Sequence, residues 1–376
     1  MLKRLIAQWI RSRGARDADA GACAQDSAIV ADAEDVTDAL AQAQALYNAG
    51  ETAGADAILR GVLAGDAAGA ERAAVLPLAG RSARKLGDHR RAIALLREAA
   101  SDTPDRADVL TDLALALVEV GMTDEAGRHA RRALALAPDT PNAHHVLARI
   151  ALRGEDYLAT LTLIHELLRP PTYVEIGIFT GDSLRRVRPE TRAIGIDPNP
   201  QLEYVPGANT RIFDLTSEAF FAQQDLRALL GGQPVALAFI DGMHHFEFAL
   251  RDFVNLERHC TPESVILLHD GYPLDAVTAA RERSTGFWSG DVWRAVLALR
   301  AHRPDLSIAT LAAPPTGLTV VRNLDPSSRL LEQRFDAIVE EYRALPFEAI
   351  AADKPARLNL VPGARADIAA LFAARA

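Results

Sequence analysis

The chain has 376 residues, of which 24% are charged and 49% hydrophobic, and its net charge at pH 7 is −9. This length exceeds what one compact core usually organises, so we expect two or three domains. The acidic balance argues against a general nucleic-acid binder. Cys23 and Cys260 lie far apart, which indicates neither a disulfide framework nor a zinc site and fits a reducing, cytoplasmic setting.

Residues 1–35 are predicted to combine a basic N-terminal segment with a flexible linker. As a helix, residues 1–13 would place their apolar side chains on one side, with a lysine and several arginines elsewhere. Such a segment either touches a membrane surface or a partner, or is a frayed terminal tail. No apolar run in the sequence is long enough to span a bilayer.

Residues 36–169 repeat with a period of 34. Gly87 and Gly121 are one period apart, as are Pro104 and Pro138. Small residues recur where two helices must touch, namely Gly80, Ala92 and Ala99 in one copy and Ala114, Ala126 and Ala133 in the next. This pattern resembles the tetratricopeptide repeat, a helix–turn–helix unit that buries its apolar face by stacking into a solenoid. The resemblance implies a module that holds a protein or peptide partner, or one that self-associates.

The residues from Arg169 to Pro171 end the last repeat helix and begin a second domain, residues 170–325. The segment from Thr172 to Asp197 predicts a strand, a glycine loop, a helix starting near residues 182–183, and a second strand. Gly177 and Gly181 allow the tight turn and expose amides that favour a polar or anionic ligand. A structural strand–turn–helix without a ligand is the alternative.

The sequence of the glycine loop distinguishes between two classes of cofactor. It reads G-x-x-x-G and lacks the G-x-G-x-x-G of dinucleotide binders. Glu175, just before Gly177, has the wrong charge for a pyrophosphate and suits a cofactor with an ammonium group. The residues resemble the class I SAM-dependent methyltransferases whose first motif reads E-x-G-x-x-x-G-x-S, matched by Glu175, Gly177, Gly181 and Ser183.

The resemblance implies roles for the strand-end acids. Glu175 would meet the methionine ammonium of S-adenosylmethionine (SAM), and Asp197 at the tip of the second strand would accept from both ribose hydroxyls. Asp214, after a third strand near residues 210–213, would accept from the adenine amine. A plain acid at the start of the next helix is an equal alternative for Asp214.

A fourth strand, residues 235–240, ends in a segment that fits the I-D-G-x-H motif of the same branch. The residues that fit are Asp241, Gly242, His244, Phe246 and Asp252. An aspartate and two histidines at this strand end can hold a metal or move a proton. We expect His244 to be the general base, with His245 as second candidate and Asp241 beside them.

A fifth strand, residues 264–268, is followed by His269 and Asp270. Related metal-dependent O-methyltransferases place an aspartate after the fourth strand and an Asp-Asn or Glu-Asp pair after the fifth. The resemblance therefore implies that Asp241 and Asp270 orient the acceptor with or without Mg²⁺, a hard cation that uses few protein ligands. The histidine of the His-Asp pair departs from that pattern.

The rest of the chain completes the predicted sheet. Trp288 lies in a loop suited to a lid over the acceptor, whereas Trp293 fits either a lid or core packing. We predict a helix capped by Asp291, a closing hairpin over residues 306–321, and a C-terminal helical extension, residues 326–376. The expected fold is α/β, a Rossmann-like doubly wound sheet with an antiparallel last strand, preceded by an all-α repeat solenoid.

The resemblance implies a cytoplasmic SAM-dependent methyltransferase that acts on an oxygen of a small polar metabolite or sugar. The repeats would bind a partner or form a homo-oligomer. One alternative is a non-catalytic adaptor with a degenerate sheet domain. Another is a nucleotide-binding oxidoreductase or sugar-modifying enzyme.

Overall fold

The computed structural model describes residues 36–65 and 67–373. The predicted basic segment and linker, residues 1–35, lie outside these described residues. The chain forms two compact units, Met1–Thr103 and Pro104–Ala376. The domain boundary predicted near Arg169 therefore lies inside the second unit and stays a prediction. Within the described ranges, no helix has the length and apolar character needed to cross a membrane.

In its described part, residues 36–65 and 67–103, the first unit has four helices: α1 (Val36–Asn48), α2 (Thr52–Ala64), α3 (Ala70–Lys85) and α4 (His89–Asp102). Gly87 turns the chain between α3 and α4 with a φ of 80°, a conformation that favours glycine. A Cβ on Gly80 would lie 2.4 Å from the Leu96 side chain, so this glycine lets the two helices approach closely. Ala92 and Ala99 on the facing helix are fully or almost fully buried.

The second unit begins with helices α5 (Ala107–Glu119), α6 (Thr123–Leu136), α7 (Pro141–Ala151) and α8 (Tyr157–Leu168). Ala114, Ala126 and Ala133 are completely buried, as the repeat period requires. Gly121 repeats the turn of Gly87 with a φ of 79°. Arg169 ends α8 in a left-handed conformation just before Pro170, so the helix ends where the prolines predicted.

An eight-stranded sheet follows. Its strands are β1 (Thr172–Ile176), β2 (Arg192–Asp197), β3 (Thr210–Asp214), β4 (Leu237–Ile240), β5 (Val265–His269), β6 (Ser307–Leu311), β7 (Leu318–Arg322) and β8 (Leu360–Val361). Their order is β3-β2-β1-β4-β5-β7-β6-β8. Strands β1 to β5 pair in parallel, and β7 pairs antiparallel with β5 and β6. This confirms the expected doubly wound sheet with an antiparallel strand.

Both faces of the sheet are covered. Val174 and Ile176 of β1 pack on one face, while Tyr173 packs on the other with side chains of α8 and of the C-terminal helix α17 (Arg365–Ala373). The helices between β3 and α17 in the chain are α9 (Ser217–Gln223), α10 (Leu226–Leu229), α11 (Phe246–Glu257), α12 (Trp293–His302), α13 (Leu330–Gln333), α14 (Phe335–Arg343), α15 (Glu348–Ala351) and α16 (Lys354–Arg357). The parallel strands consequently present their carboxyl ends at one edge.

The prediction of a helix after Gly181 is wrong. Only a 3-10 turn, Leu184–Arg186, forms before β2 begins at Arg192. Ten residues lie between Gly181 and Arg192, and Pro189 among them cannot continue a helix. The glycine loop is therefore not followed by a helix N-terminus that could bind an anion.

Two other predictions need correction. The helix expected over residues 219–230 is split into α9 and α10, because Asp225 caps α10 by accepting from the amide of Ala228 at 3.0 Å. The C-terminal extension is not wholly helical. Its strand β8 pairs in parallel with β6 and completes the sheet.

Candidate active site at the carboxyl edge of the sheet

The glycine loop lies against the end of β4. A Cβ on Gly177 would lie 2.1 Å from the carbonyl oxygen of Asp241, so only glycine allows this approach. The amide of Asp241 donates to the carbonyl of Ile176 at 2.8 Å. Gly181 has a φ of 81°, and a Cβ there would meet the side chains of Leu202 and Tyr204. The two glycines thus bring the β1 loop beside the acid that follows β4.

Glu175 is completely buried inside the sheet layer. Its carboxyl group accepts from the hydroxyls of Ser183 and of Tyr173, the latter at 2.7 Å. Burial raises the pKa of Glu175 to about 8, against the opposing effect of these hydrogen bonds, so the group is protonated at neutral pH. Contact with a cofactor ammonium would require a neighbouring side chain to move and the proton to leave. Ser183 is buried as well and orients Glu175.

Asp197 and Asp214 lie side by side at the tips of β2 and β3, where they are register partners. Asp197 accepts from the amides of Ile178 and Phe179 through Oδ2, both at 2.9 Å, and from the amide of Asn199 through Oδ1 at 2.8 Å. A carboxylate offers about four lone-pair directions. In this conformation Asp197 therefore has capacity for one further donor rather than two. Asp214 is exposed to solvent.

The ends of β4 and β5 bring Asp241, His269 and Asp270 together. Nδ1 of His269 lies 3.0 Å from Oδ1 of Asp241 and 3.3 Å from Oδ1 of Asp270. Burial opposes the charged form of His269, but the two carboxylates outweigh it and raise the pKa of the imidazole. Burial likewise opposes ionisation of Asp270, yet His244 and His269 hold its pKa well below its usual range. Sequence reasoning had not given His269 a role.

His244 joins this cluster from the β4–α11 loop. Its Nδ1 lies 3.0 Å from Oδ2 of Asp270 and 3.2 Å from the carbonyl oxygen of Trp288. Burial alone would lower the pKa of His244, but the Asp270 carboxylate raises it to about 9. His244 carries a proton under these conditions and must release it before it can act as a base.

His245, the second candidate base, is held by Arg281. Its Nε2 lies 3.1 Å from the carbonyl oxygen of Arg281, and its Nδ1 lies 3.4 Å from the guanidinium of the same residue. With both ring nitrogens engaged, His245 is placed to fix the Arg281 segment rather than to receive a proton from a ligand. The same guanidinium also pairs with Glu247 and Asp291.

Residues 281–291 form a segment that we call the strap, and it covers His244. The indole of Trp288 stacks on the His244 imidazole with centroids 5.0 Å apart and an interplanar angle of 5°. Gly290 passes so close that a Cβ would lie 1.9 Å from the carbonyl oxygen of His244. Trp288 therefore lies where the sequence predicted a lid, while Trp293 is buried in the core.

The strap is also attached to the repeat helices of the same unit. The amide of Gly286 donates to Oδ1 of Asp139 at 2.6 Å. Phe287 stacks on His144 at 5.5 Å and meets His145 edge-on at 4.9 Å. Nothing in the sequence indicated that these repeat residues lie near the site, apart from the adjacent histidines His144 and His145 and the aromatic pair Phe287 and Trp288 far along the chain. Asp291, predicted as a helix cap, is instead completely buried and accepts from the amide of Phe246 at 2.8 Å.

Two cavities bear on the location of the chemistry. A cavity of about 150 Å³ lies between the 3-10 turn and the β2–β3 loop, and Arg188, Tyr204 and Thr210 help to line it. It does not include the strand-end acids. A space of about 10 Å³, roughly one water-sized sphere, lies among Asp241, His244 and Asp270. The ionisable groups of the strand ends converge at the second space and not at the first.

Comparisons with known proteins agree with both parts of the chain. A family model described as a methyltransferase domain matches residues 174–271, and one described as a tetratricopeptide repeat matches residues 83–150. Both predicted resemblances are thereby confirmed. No curated protein sequence matches the chain.

Comparison with solved structures found matches with low TM-scores. One MamA crystal structure is 18% identical, with a TM-score of 0.29 over 31% of this chain and 62% of that one. A second, MamA MSR-1 C2, is 26% identical, with a TM-score of 0.29 over 33% and 69% of the two chains. The O-methyltransferase TomG from Streptomyces achromogenes, involved in tomaymycin synthesis and solved with SAM, is 16% identical, with a TM-score of 0.36 over 54% and 90%. The chain thus spans less than two thirds of the first MamA structure.

Proposed function

We propose that this protein is a SAM-dependent methyltransferase whose helical repeats bind a protein or peptide partner. One observation carries the proposal. Strand-end acids flank glycine turns at the carboxyl edge of a sheet ordered 3-2-1-4-5-7-6, the edge at which open α/β sheets bind ligands. The methyltransferase-domain match over residues 174–271 supports the same assignment.

SAM would supply a methyl group already activated by its sulfonium. Asp197 has capacity to accept from one ribose hydroxyl, and exposed Asp214 beside it is placed to accept from an adenine amine. Gly177 and Gly181 keep the loop next to the β4 end. Glu175 supports the loop through Ser183, and its predicted contact with the methionine ammonium requires it to lose its proton.

The acceptor side consists of His244, Asp241 and Asp270. His244 is half-buried beside Asp270 at the ends of β4 and β5, so it is our candidate to remove a proton from the acceptor. Asp241 and Asp270 would orient an acceptor hydroxyl, which favours O-methylation of a small polar metabolite or sugar. The protein's contribution is alignment and proton removal, since the methyl donor needs no further activation.

The first experiment measures SAM binding to the full-length protein by isothermal titration calorimetry. We expect a micromolar Kd, weakened at least tenfold in Asp197→Asn. Asp225→Asn is the matched control, because asparagine is an equally good helix cap and the residue lies away from the site. Absence of SAM binding by the folded wild-type protein would instead favour the non-catalytic adaptor.

The second experiment tests the base. Transfer of radiolabelled methyl groups from SAM to small molecules of a cell extract identifies acceptors and supplies an assay. In that assay His244→Ala should lose at least 99% of the turnover while its Kd for SAM stays within about threefold. Retained turnover would remove His244 from the base role, whereas parallel loss of SAM binding would indicate a structural role.

A further inference from the structure

We propose that Asp241, His269 and Asp270 form a binding site for a divalent first-row transition metal of the Mn²⁺, Fe²⁺ or Zn²⁺ class. One donor atom from each residue lies within 4.8 Å of the other two. The His269 Nδ1 lies 3.0 Å from the Asp241 oxygen and 3.3 Å from the Asp270 oxygen. A metal about 2.1 Å from each donor separates neighbouring donors by about 3.0 Å in octahedral and about 3.4 Å in tetrahedral geometry. The two nitrogen–oxygen distances fall within this range.

The direction of the His269 nitrogen distinguishes a metal site from a hydrogen-bonded cluster. Nδ1 is buried, yet no acceptor is aligned with it well enough for a hydrogen bond. Strong hydrogen bonds are nearly straight. A ring nitrogen that shares an octahedral metal with two oxygens points at the ion, about 45° away from each oxygen. The unpartnered nitrogen fits a lone pair aimed between the oxygens.

The other side of the His269 ring is arranged as in a metal-binding histidine. Its Nε2 lies 3.3 Å from the hydroxyl of Thr316, which is buried. Metal-binding histidines commonly donate their second ring N–H to such an oxygen, which leaves the first nitrogen free for the ion. The Tyr157 ring packs 4.4 Å from the imidazole and restricts its rotation.

The backbone at Asp270 brings two consecutive side chains to the same place. Neighbouring residues of a strand point to opposite faces. Asp270 follows β5 directly and has a φ of 60°, in the left-handed region that non-glycine residues rarely adopt. This turn allows His269 and Asp270 to converge on a common point. Rare conformations of this kind concentrate at functional sites.

The donor set disagrees with the Mg²⁺ that the family resemblance implies. Mg²⁺ prefers an octahedral shell of oxygens, including several waters. Here an imidazole nitrogen replaces one carboxylate or amide oxygen of the usual pair after the fifth strand. Mixed imidazole and carboxylate donors suit Mn²⁺, Fe²⁺ and Zn²⁺. His244 contacts the remaining oxygen of Asp270 at 3.0 Å and orients that carboxylate.

The test uses the full-length protein, stripped of metal with a chelator and titrated with Mn²⁺ while free Mn²⁺ is followed by electron paramagnetic resonance. We expect one Mn²⁺ per chain, bound at least 100-fold more tightly than Mg²⁺ and displaced by Zn²⁺. Asp241→Asn and His269→Ala should each weaken Mn²⁺ binding at least 30-fold. His129→Ala is the control, because His129 and Glu125 form another histidine–carboxylate pair, 3.8 Å apart on α6.

A further variant tests the metal preference itself. His269→Asp exchanges the nitrogen donor for an oxygen, so the preference for Mn²⁺ over Mg²⁺ should fall at least tenfold even if overall affinity changes. The assignment is overturned if wild-type protein binds no stoichiometric Mn²⁺, binds Mg²⁺ equally well, or keeps its preference in His269→Asp. Binding is measured without methyl donor or acceptor, so this result is independent of whether methyl transfer occurs.

Discussion

The histidine of α8 that faces the sheet should make folding stability depend on pH. His165 is 1% exposed, packs edge-on against Tyr173 at 4.8 Å, and has no hydrogen-bond partner on either ring nitrogen. Burial, with a smaller effect of Arg188, lowers the pKa of His165 from 6.5 to about 4. Between these values the unfolded chain binds a proton that the folded protein excludes, so stability falls as the pH falls.

The size of the effect follows from the two pKa values. At pH 8 the His165 imidazole is neutral in both the folded and the unfolded state, so its titration does not change the free energy of unfolding. At pH 5 the unfolded state is mostly protonated, whereas the folded state is mostly not, which lowers the free energy of unfolding by about 2 kcal/mol. His165→Phe cannot titrate and should remove this loss.

Urea denaturation at pH 5 and pH 8 measures the difference. The drop in unfolding free energy between the two pH values should be about 2 kcal/mol smaller in His165→Phe than in the wild type. Thr162→Val, on the same helix and without an ionisable group, is the control and should follow the wild type. An equal drop in His165→Phe and the wild type would refute the inference that His165 is buried without its proton.

Three further predictions concern packing and charge. Phe287→Ala should destabilise the protein by about 3 kcal/mol and speed amide hydrogen exchange across the strap, measured by mass spectrometry. Unchanged exchange would show that Phe287 does not anchor the strap. Burial raises the pKa of Asp252 to about 7, so the folded state retains its proton and loses stability as pH rises; in thermal or urea unfolding, Asp252→Asn should gain about 2–3 kcal/mol on the wild type between pH 5 and pH 8. Glu257→Gln breaks the buried two-point ion pair with Arg303 and should lower the free energy of unfolding, measured with urea, by about 3 kcal/mol. The control Asp108→Asn breaks an exposed ion pair and should lower it by less than about 1 kcal/mol. Equal losses in the two variants would contradict the role of burial.

Much of the architecture was predictable because its signals are local. Gly87 and Gly121 adopt the positive φ that their place after a helix predicts. The alanines of the 34-residue period are buried because helices at that spacing must touch there. Apolar runs that end in an acid predicted β2 and β4. The carboxyl ends of these strands lie at the same edge, as in any parallel sheet. The helix predicted after Gly181 does not form, because the motif matches residue types around the loop and takes no account of Pro189 further along.

The amino-acid sequence by itself determined the repeat helices, the doubly wound sheet and the placement of Asp197, Asp241 and Asp270 at strand ends, since neighbouring residues along the chain set turns, strands and periodicity. Only the tertiary structure decided what those side chains meet. Burial makes Glu175 a neutral acid, Arg281 contacts His245 from a distant loop, and Asp241 meets His269 from the neighbouring strand. Such contacts join residues far apart in the chain, so no local pattern encodes them.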